Sequence, residues 1–337
     1  MATKGSFIIV GENIHCTRIR LVKGKFVETT PDGSSALLFK EGKTTARLPI
    51  PASVLESDNW KSGKVPHVAV AVRQGLYGTG DDQEAGARYL QAMARDQEAA
   101  GAWFLDLNVD EFSTDREEKV RAMEWAAGVV QQASTIPLSI DSSDQEILEA
   151  GLKACDPARG APMVNSVSLE RTDLIPVAAR AKACIIAGAS GAETMPESVD
   201  DRLDNMAELM EKLQSAGFST GEIFLDPLVY PASVDVHNAV MLIDAIRALR
   251  EAWGPDIHFA PGLSNISYGF PRRAVINKAF ARLCRDAGCD GGIVDPMQIN
   301  DSILNSIDFE TKEYRLARNL LEGRDEFGME FISAMRG

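Results

Sequence analysis

The chain has no long apolar run. Nowhere in its 337 residues is there a stretch of about 18 apolar residues, the length a membrane-spanning helix needs. The first ten residues hold no apolar core of a signal peptide. Cysteine is sparse and unpatterned: Cys16, Cys155, Cys184, Cys284 and Cys289 are odd in number, scattered and without a C-x-x-C pair. That excludes a disulfide framework and a structural zinc site, and reads as the reduced thiols of a cytoplasmic protein. The 4 histidines form no cluster in the sequence, so no metal site is expected. Positive charge is in the minority, with 35 Lys and Arg against 49 Asp and Glu and a net charge of -14. This argues against nucleic acid or an acidic membrane surface as a partner. No G-x-G-x-x-G follows a strand-like run, which disfavours a dinucleotide-binding sheet.

What is present is an alternation. Hydrophobic residues make up 45% of the chain, enough for a full globular core. Phe7-Ile8-Ile9-Val10 reads as a first strand ending in Gly11-Glu12-Asn13. Residues 16–80 differ in composition: from Arg18 to Gly80 ten Lys and Arg stand against five Asp and Glu, a local +5 that leaves -19 for the rest. Gly24, Pro31-Asp32-Gly33 and Gly42 punctuate short runs there, which suggests small β-hairpins. From Asp81 onward, helical spacing alternates with short apolar strands. The strand runs begin at Trp103, Ile136, Pro162, Ala183, Ile223, His258 and Gly292. With the first, these make eight strands, each followed by a helix. Such alternation predicts parallel strands buried on both faces. The expected fold is an α/β (β/α)8 TIM barrel formed by one domain, 1–337, with 16–80 as a long insertion after the first strand.

Polar residues gather at the predicted strand ends: Asp106, Asn108, Asp141, Asn165, Asp226, Asn265 and Asp295. In a barrel of this kind these ends carry the chemistry. Each residue also has an ordinary reading as a cap for the next helix, and for Asp106 and Asp295 the two readings weigh equally. Gly262-Leu263-Ser264-Asn265-Ile266-Ser267 is the most concentrated of these tips. Asp accepts hydrogen bonds, and Asn both accepts and donates. A flat heterocycle with an amino-oxo edge, such as the 2-amino-4-oxo face of a pterin, is complementary to that set.

Six motifs in order carry a resemblance: Gly11-Glu12-Asn13, Asp106-Leu107-Asn108-Val109, Ser139-Ile140-Asp141-Ser142, Val164-Asn165-Ser166-Val167, Leu225-Asp226-Pro227-Leu228 and Gly262 to Ser267. Together they resemble the pterin-binding methyltetrahydrofolate:corrinoid methyltransferases, a family that includes the folate domain of cobalamin-dependent methionine synthase. The resemblance implies that Asp141, Asn165 and Asp226 hold the pterin, with Asp106 and Asn108 close by. It places Asn265 near N5, the methyl-bearing nitrogen, as the catalytic residue. It implies tetrahydrofolate or 5-methyltetrahydrofolate as substrate, a homodimer, and cobalamin carried by a partner corrinoid-binding protein. The chain has no D-x-H-x-x-G cobalt-ligand pattern of its own: Asp256-Ile257-His258 begins like one, but Pro261 stands where its Gly is needed. Departures from the family are Asp110 in place of a Gly, the stretch Ala187 to Pro196, and the insertion.

Two other readings remain. Dihydropteroate synthases share the barrel, but they need cations for a leaving diphosphate. The Lys positions expected after Asp226-Pro227 and after Ser264 are unfilled here, which leaves Arg272 and Arg273 as substitutes. A non-catalytic folate-binding protein is the third. For methyl transfer, departure of the amine requires positive charge on N5, and no His stands at a predicted strand end as the acid. His15 and Cys16 read as loop residues, and His258 as a strand-face residue.

Overall fold

The computed structural model describes residues 6–31 and 33–335. Eight parallel strands form the barrel: β1 (Ile8–His15), β2 (Phe104–Asn108), β3 (Leu138–Asp141), β4 (Met163–Val167), β5 (Cys184–Gly188), β6 (Ile223–Asp226), β7 (His258–Phe259) and β8 (Gly291–Val294). Their order in the sheet is β7-β6-β5-β4-β3-β2-β1-β8, and a parallel bridge between Gly262 and Ile293 links the chain just past β7 to β8. This is the TIM barrel expected from the alternation. The strands are apolar on both faces, and Ile9, Val10, Leu105, Ile140, Val164, Ile186 and Leu225 are all buried.

Three boundaries differ from expectation. β1 runs on to His15, so Glu12, Asn13 and His15 are strand residues. The ladder holds it there: the Cys16 N–H donates to Asn108 O at 2.9 Å. β4 includes Asn165, with a bulge in its pairing to β5 between Ile186 and Ala187; bulges of this kind re-aim side chains. The helix expected from Asp173 is a 3-10 turn, Leu169–Leu174, followed by the helix Ile175–Ala181. Pro176 lies in the first turn of that helix, where its missing N–H costs nothing.

The described chain divides into two compact units. One comprises Glu12–Ala100 and Phe104–Pro162. In it, segment 16–80 forms an antiparallel sheet of Val27–Thr29, Ser35–Glu41 and Thr44–Pro49, and a second ladder of Ile19–Leu21 with Lys64–Pro66. Asp32, in the expected Pro31-Asp32-Gly33 turn, lies outside the described residues. The segment ends in a helix, His67–Tyr77, that its sequence conceals. Val68, Val70 and Val72 repeat at a spacing of two, the period of a strand, and tertiary packing overrides it. The helix lies backbone-close on the helix Asp81–Ala99 through paired glycines. A Cβ on Gly86 would meet Ala71 O at 2.5 Å and Gly75 N at 2.6 Å. Gly86→Ala is therefore expected to lose ~1–3 kcal/mol of stability, the usual cost of overpacking. An unchanged urea midpoint for this variant would contradict the helix contact.

The other unit holds β4 to β8 with the start of β1. Its helix Val199–Ser215 opens on a capping box formed by Ser198 and Asp201, which satisfies orphan N–H groups at the helix start. The same helix carries the buried Arg202 discussed below.

Candidate active site

In the first unit, β1, β2 and β3 bring four polar side chains to their C-terminal ends. Asp106 and Asn108 are two apart on β2 and so share a face; they lie opposite Ser139 and Asp141 of β3. Asn108 joins the two strand ends. Its Nδ2 donates to Asp141 Oδ2 at 2.9 Å, and its Oδ1 accepts from the Asp110 N–H at 3.0 Å. Asp106 is fully buried and caps no helix; its Oδ2 lies 2.6 Å from His15 Nε2. One donor atom each from His15, Asp106 and Asp141 lie within 4.8 Å of one another. Burial alone would lower the proton affinity of His15, but the hydrogen bond and charge of Asp106, with the charge of Asp141, outweigh it and the pKa is raised. Asp141 is pushed up to about 7, first by burial and then by the charge of Asp106, against the opposing effects of His15 and Asn108.

Asp110 fastens the neighbouring loop. It accepts from Ser142 Oγ at 2.6 Å and from the N–H and Oγ of Ser143 at 2.8 Å each. This clasp fixes the chain directly after Asp141.

In the second unit, Asn165 is half-buried within β4, opposite Ile186. Asp226 ends β6 and accepts from the Leu228 N–H at 2.9 Å, with Leu228 at a positive φ of 65. Burial raises Asp226 to about 6, opposed by the Leu228 N–H and by Arg202. Arg202 is itself buried. It donates to Pro227 O at 2.7 Å and to Ser198 O at 2.8 Å, which ties the turn after β6 to the helix behind it. Asn265 lies inside the 3-10 turn Leu263–Ser267, whose N-cap is Gly262. Its carboxamide is exposed and caps nothing. A Cβ on Gly262 would come 3.1 Å from Asn265 Nδ2, so the glycine makes room for that amide. Asp295 folds back on its own turn, accepting from the Met297 N–H at 3.0 Å and from Gln298 Nε2 at 2.5 Å, while the next helix, Asp301–Asn305, is capped by Asn300. His258 stands on β7, paired with Asp290 at 2.7 Å.

Arg272 and Arg273 are engaged elsewhere. Arg272 pairs with Glu313 at 2.9 Å; Arg273 donates to Ser264 O at 2.8 Å and Ser267 Oγ at 2.9 Å. Sequence reasoning missed Arg202 and misplaced His15. His15 reads as a loop residue because the first strand is taken as too short, although Ile14 after Glu12-Asn13 resumes the apolar alternation. Arg202 sits in an ordinary helical pattern, and nothing in that pattern marks it as buried.

A family model described as "Pterin binding enzyme" matches residues 81–295. The chain belongs to the pterin-binding enzymes. The matched span contains Asp106, Asn108, Asp141, Asn165, Asp226 and Asn265, whereas His15 and segment 16–80 precede it. This pterin-binding enzyme is 30% identical over 219 residues to a methylcorrinoid:tetrahydrofolate methyltransferase of Eubacterium limosum, covering 64% of this chain and 78% of the relative. It is 30% identical over 223 residues to a methionine synthase of Mycobacterium tuberculosis, covering 61% of this chain but only 18% of that longer protein. In fold it is similar to the dihydropteroate synthase of Stenotrophomonas maltophilia, with a TM-score of 0.52 and 16% identity over 67% of this chain and 87% of that one. The dihydropteroate synthase of Xanthomonas albilineans gives 0.51 and 19%, covering 68% and 85%. At these identities the two structures speak for the barrel alone. No helix among the described residues is long and apolar enough to cross a membrane.

Proposed function

We propose that this pterin-binding enzyme moves a methyl group between N5 of tetrahydrofolate and the cobalt of a corrinoid carried by a partner protein. The observation that carries the reading is what each unit, taken by itself, offers at its strand ends. The first offers Asp141, a carboxylate of raised proton affinity, and the second offers Asp226, likewise raised, with the carboxamides of Asn165 and Asn265. The candidate cations Arg272 and Arg273 are already paired. Ionised carboxylates accept from the N–H edge of a pterin, and a carboxamide serves its oxo group. The relative in Eubacterium limosum, matched over most of its length, bears the name of this reaction.

The chemistry asks for little covalent help from the protein. The N5–methyl bond breaks as its electron pair stays on N5, and the methyl carbon gains a bond from the reduced cobalt. The amine leaves once N5 carries positive charge. Asn265, exposed on its turn, is the proposed hydrogen-bond partner of N5, an interaction that counts most where it strengthens as that charge changes. The same contacts serve transfer in either direction.

The dihydropteroate synthase reading has the support of the shared barrel, but it needs a cation for the departing diphosphate. Arg272 faces Glu313, and Arg273 holds the turn of Asn265. An absorbance assay with tetrahydrofolate and methylcobalamin tests the proposal. Formation of cob(I)alamin is the expected result. No spectral change with free or protein-bound corrinoid, in a protein that binds folate, would favour a non-catalytic folate binder.

A further inference from the structure

We infer that His15 is a positioning residue: its imidazolium, clasped to Asp106, keeps Asp141 ionised for the pterin and sets the pH at which folate is captured. The inference rests on the functional reading above, because it takes the pterin edge as the group that Asp141 receives.

The geometry comes first. Asp106 and Asp141 stand on neighbouring strands with a carboxylate oxygen of each, and a ring nitrogen of His15, within 4.8 Å of one another. Two carboxylates this close and this far from water do not both stay ionised unless a cation compensates them. The groups facing Asp141 are Asp106, Asp110, His15 and the neutral amide of Asn108. Those facing His15 are Asp106, Asp141 and Arg18. Arg18 is the other cation of the set, and it is occupied: its Nη2 lies 2.7 Å from Glu12 Oε1, and its Nε donates to Glu12 O at 3.1 Å. His15 is thus the cation left to balance the pair. It is fixed for that task by its place at the end of β1 and by its 2.6 Å bond to Asp106.

The consequence follows from proton linkage. A pterin presents N–H donors, so it binds the ionised form of Asp141 and excludes the protonated one. Below the pKa of Asp141, at about 7, capture of folate must expel a proton; above it, no proton need leave. Affinity therefore rises with pH, by at most about tenfold per pH unit, and levels off above the midpoint. Removing the imidazolium withdraws the charge that favours ionised Asp141. The midpoint then moves to higher pH, and affinity is recovered in alkali.

The test measures tetrahydrofolate affinity by calorimetry across pH for the parent and for His15→Gln, whose amide still has a donor for Asp106 but carries no charge. The parent is measured in buffers of different ionisation heat. Release of up to about one proton per folate between the midpoints of Asp226 and Asp141, of a second below both, and of none well above both is expected. His15→Gln is expected to bind at least about threefold more weakly near neutrality and to approach parental affinity at high pH. The decisive quantity is the shift of the midpoint, because Asp226, raised to about 6, adds its own step lower down. An equal loss of affinity at every pH, or an unmoved midpoint, overturns the role of His15 and leaves the functional reading intact. A parent without proton release overturns it even if the variant does not fold. Failure of the parent to bind tetrahydrofolate at any pH overturns the functional reading, and this inference with it.

Discussion

Replacing Asn265 by alanine is expected to slow methyl transfer by ~10- to 1000-fold, the span from one neutral hydrogen bond to a well-placed electrostatic donor. The turn that carries Asn265 is capped by Gly262, and the carboxamide is exposed. Its loss removes no buried contact and no helix cap. Stability should consequently stay within about 0.5 kcal/mol of the parent, as for other surface changes. If the amide hydrogen-bonds N5 while the charge there changes, its removal lowers the turnover rate beyond any effect on folate affinity. Single-turnover transfer at saturating 5-methyltetrahydrofolate separates the two. A rate within about twofold of the parent would take Asn265 out of the mechanism, since even one hydrogen bond typically contributes more.

The second large effect belongs to the carboxylates. Asp141→Asn and Asp226→Asn each put an amide donor where the pterin's own N–H groups point. A hydrogen bond to a charged group contributes ~1.5–3 kcal/mol, so folate affinity should fall by roughly tenfold or more for each. The pH profile gives a second signature. With its carboxyl raised to about 6, Asp226 is protonated on the acid side and loses its function as a pure acceptor. The parent's affinity therefore declines further as pH falls through that value, whereas Asp226→Asn should be weaker throughout and lack that step, keeping only the step of Asp141 at about 7. Parental affinity in both variants, measured by calorimetry, would remove the pterin from these residues.

The regular part of the barrel was legible because its strands are short, apolar on both faces and separated by helical spacing. Legibility failed where a local signal and the tertiary environment disagree. Gly11-Glu12-Asn13 reads as the polar end of the first strand, yet the chain continues as a strand to His15 because the neighbouring strand supplies ladder partners. The Val-Ala alternation of helix His67–Tyr77 has the period of a strand and gives no helical signal, and the close glycine contact that admits a helix is visible only in the fold. Of the residues named from the sequence, Asn108, Asp141 and Asp226 end their strands, Asp106 and Asn165 lie two residues inside theirs, and Asn265 lies in the turn after β7. What the residue types could not say is how they are employed. Asp295 closes its own turn, Asp106 is a buried partner of His15, and Asn108 is a bridge to Asp141. Arg202 had no sequence signal, since a buried arginine and an exposed one fill the same helical position until the carbonyls around it are known.

The claim of methyl transfer between folate and cobalt is tested most directly by rapid mixing of the enzyme with methyl-labelled 5-methyltetrahydrofolate and reduced corrinoid, followed by analysis of the products of one turnover. The account predicts that cob(I)alamin absorbance decays only when enzyme is present, and that the label appears on methylcobalamin in an amount matching the tetrahydrofolate formed. Folate that is bound by the enzyme while its label stays on N5, with free and with protein-bound corrinoid alike, would contradict it.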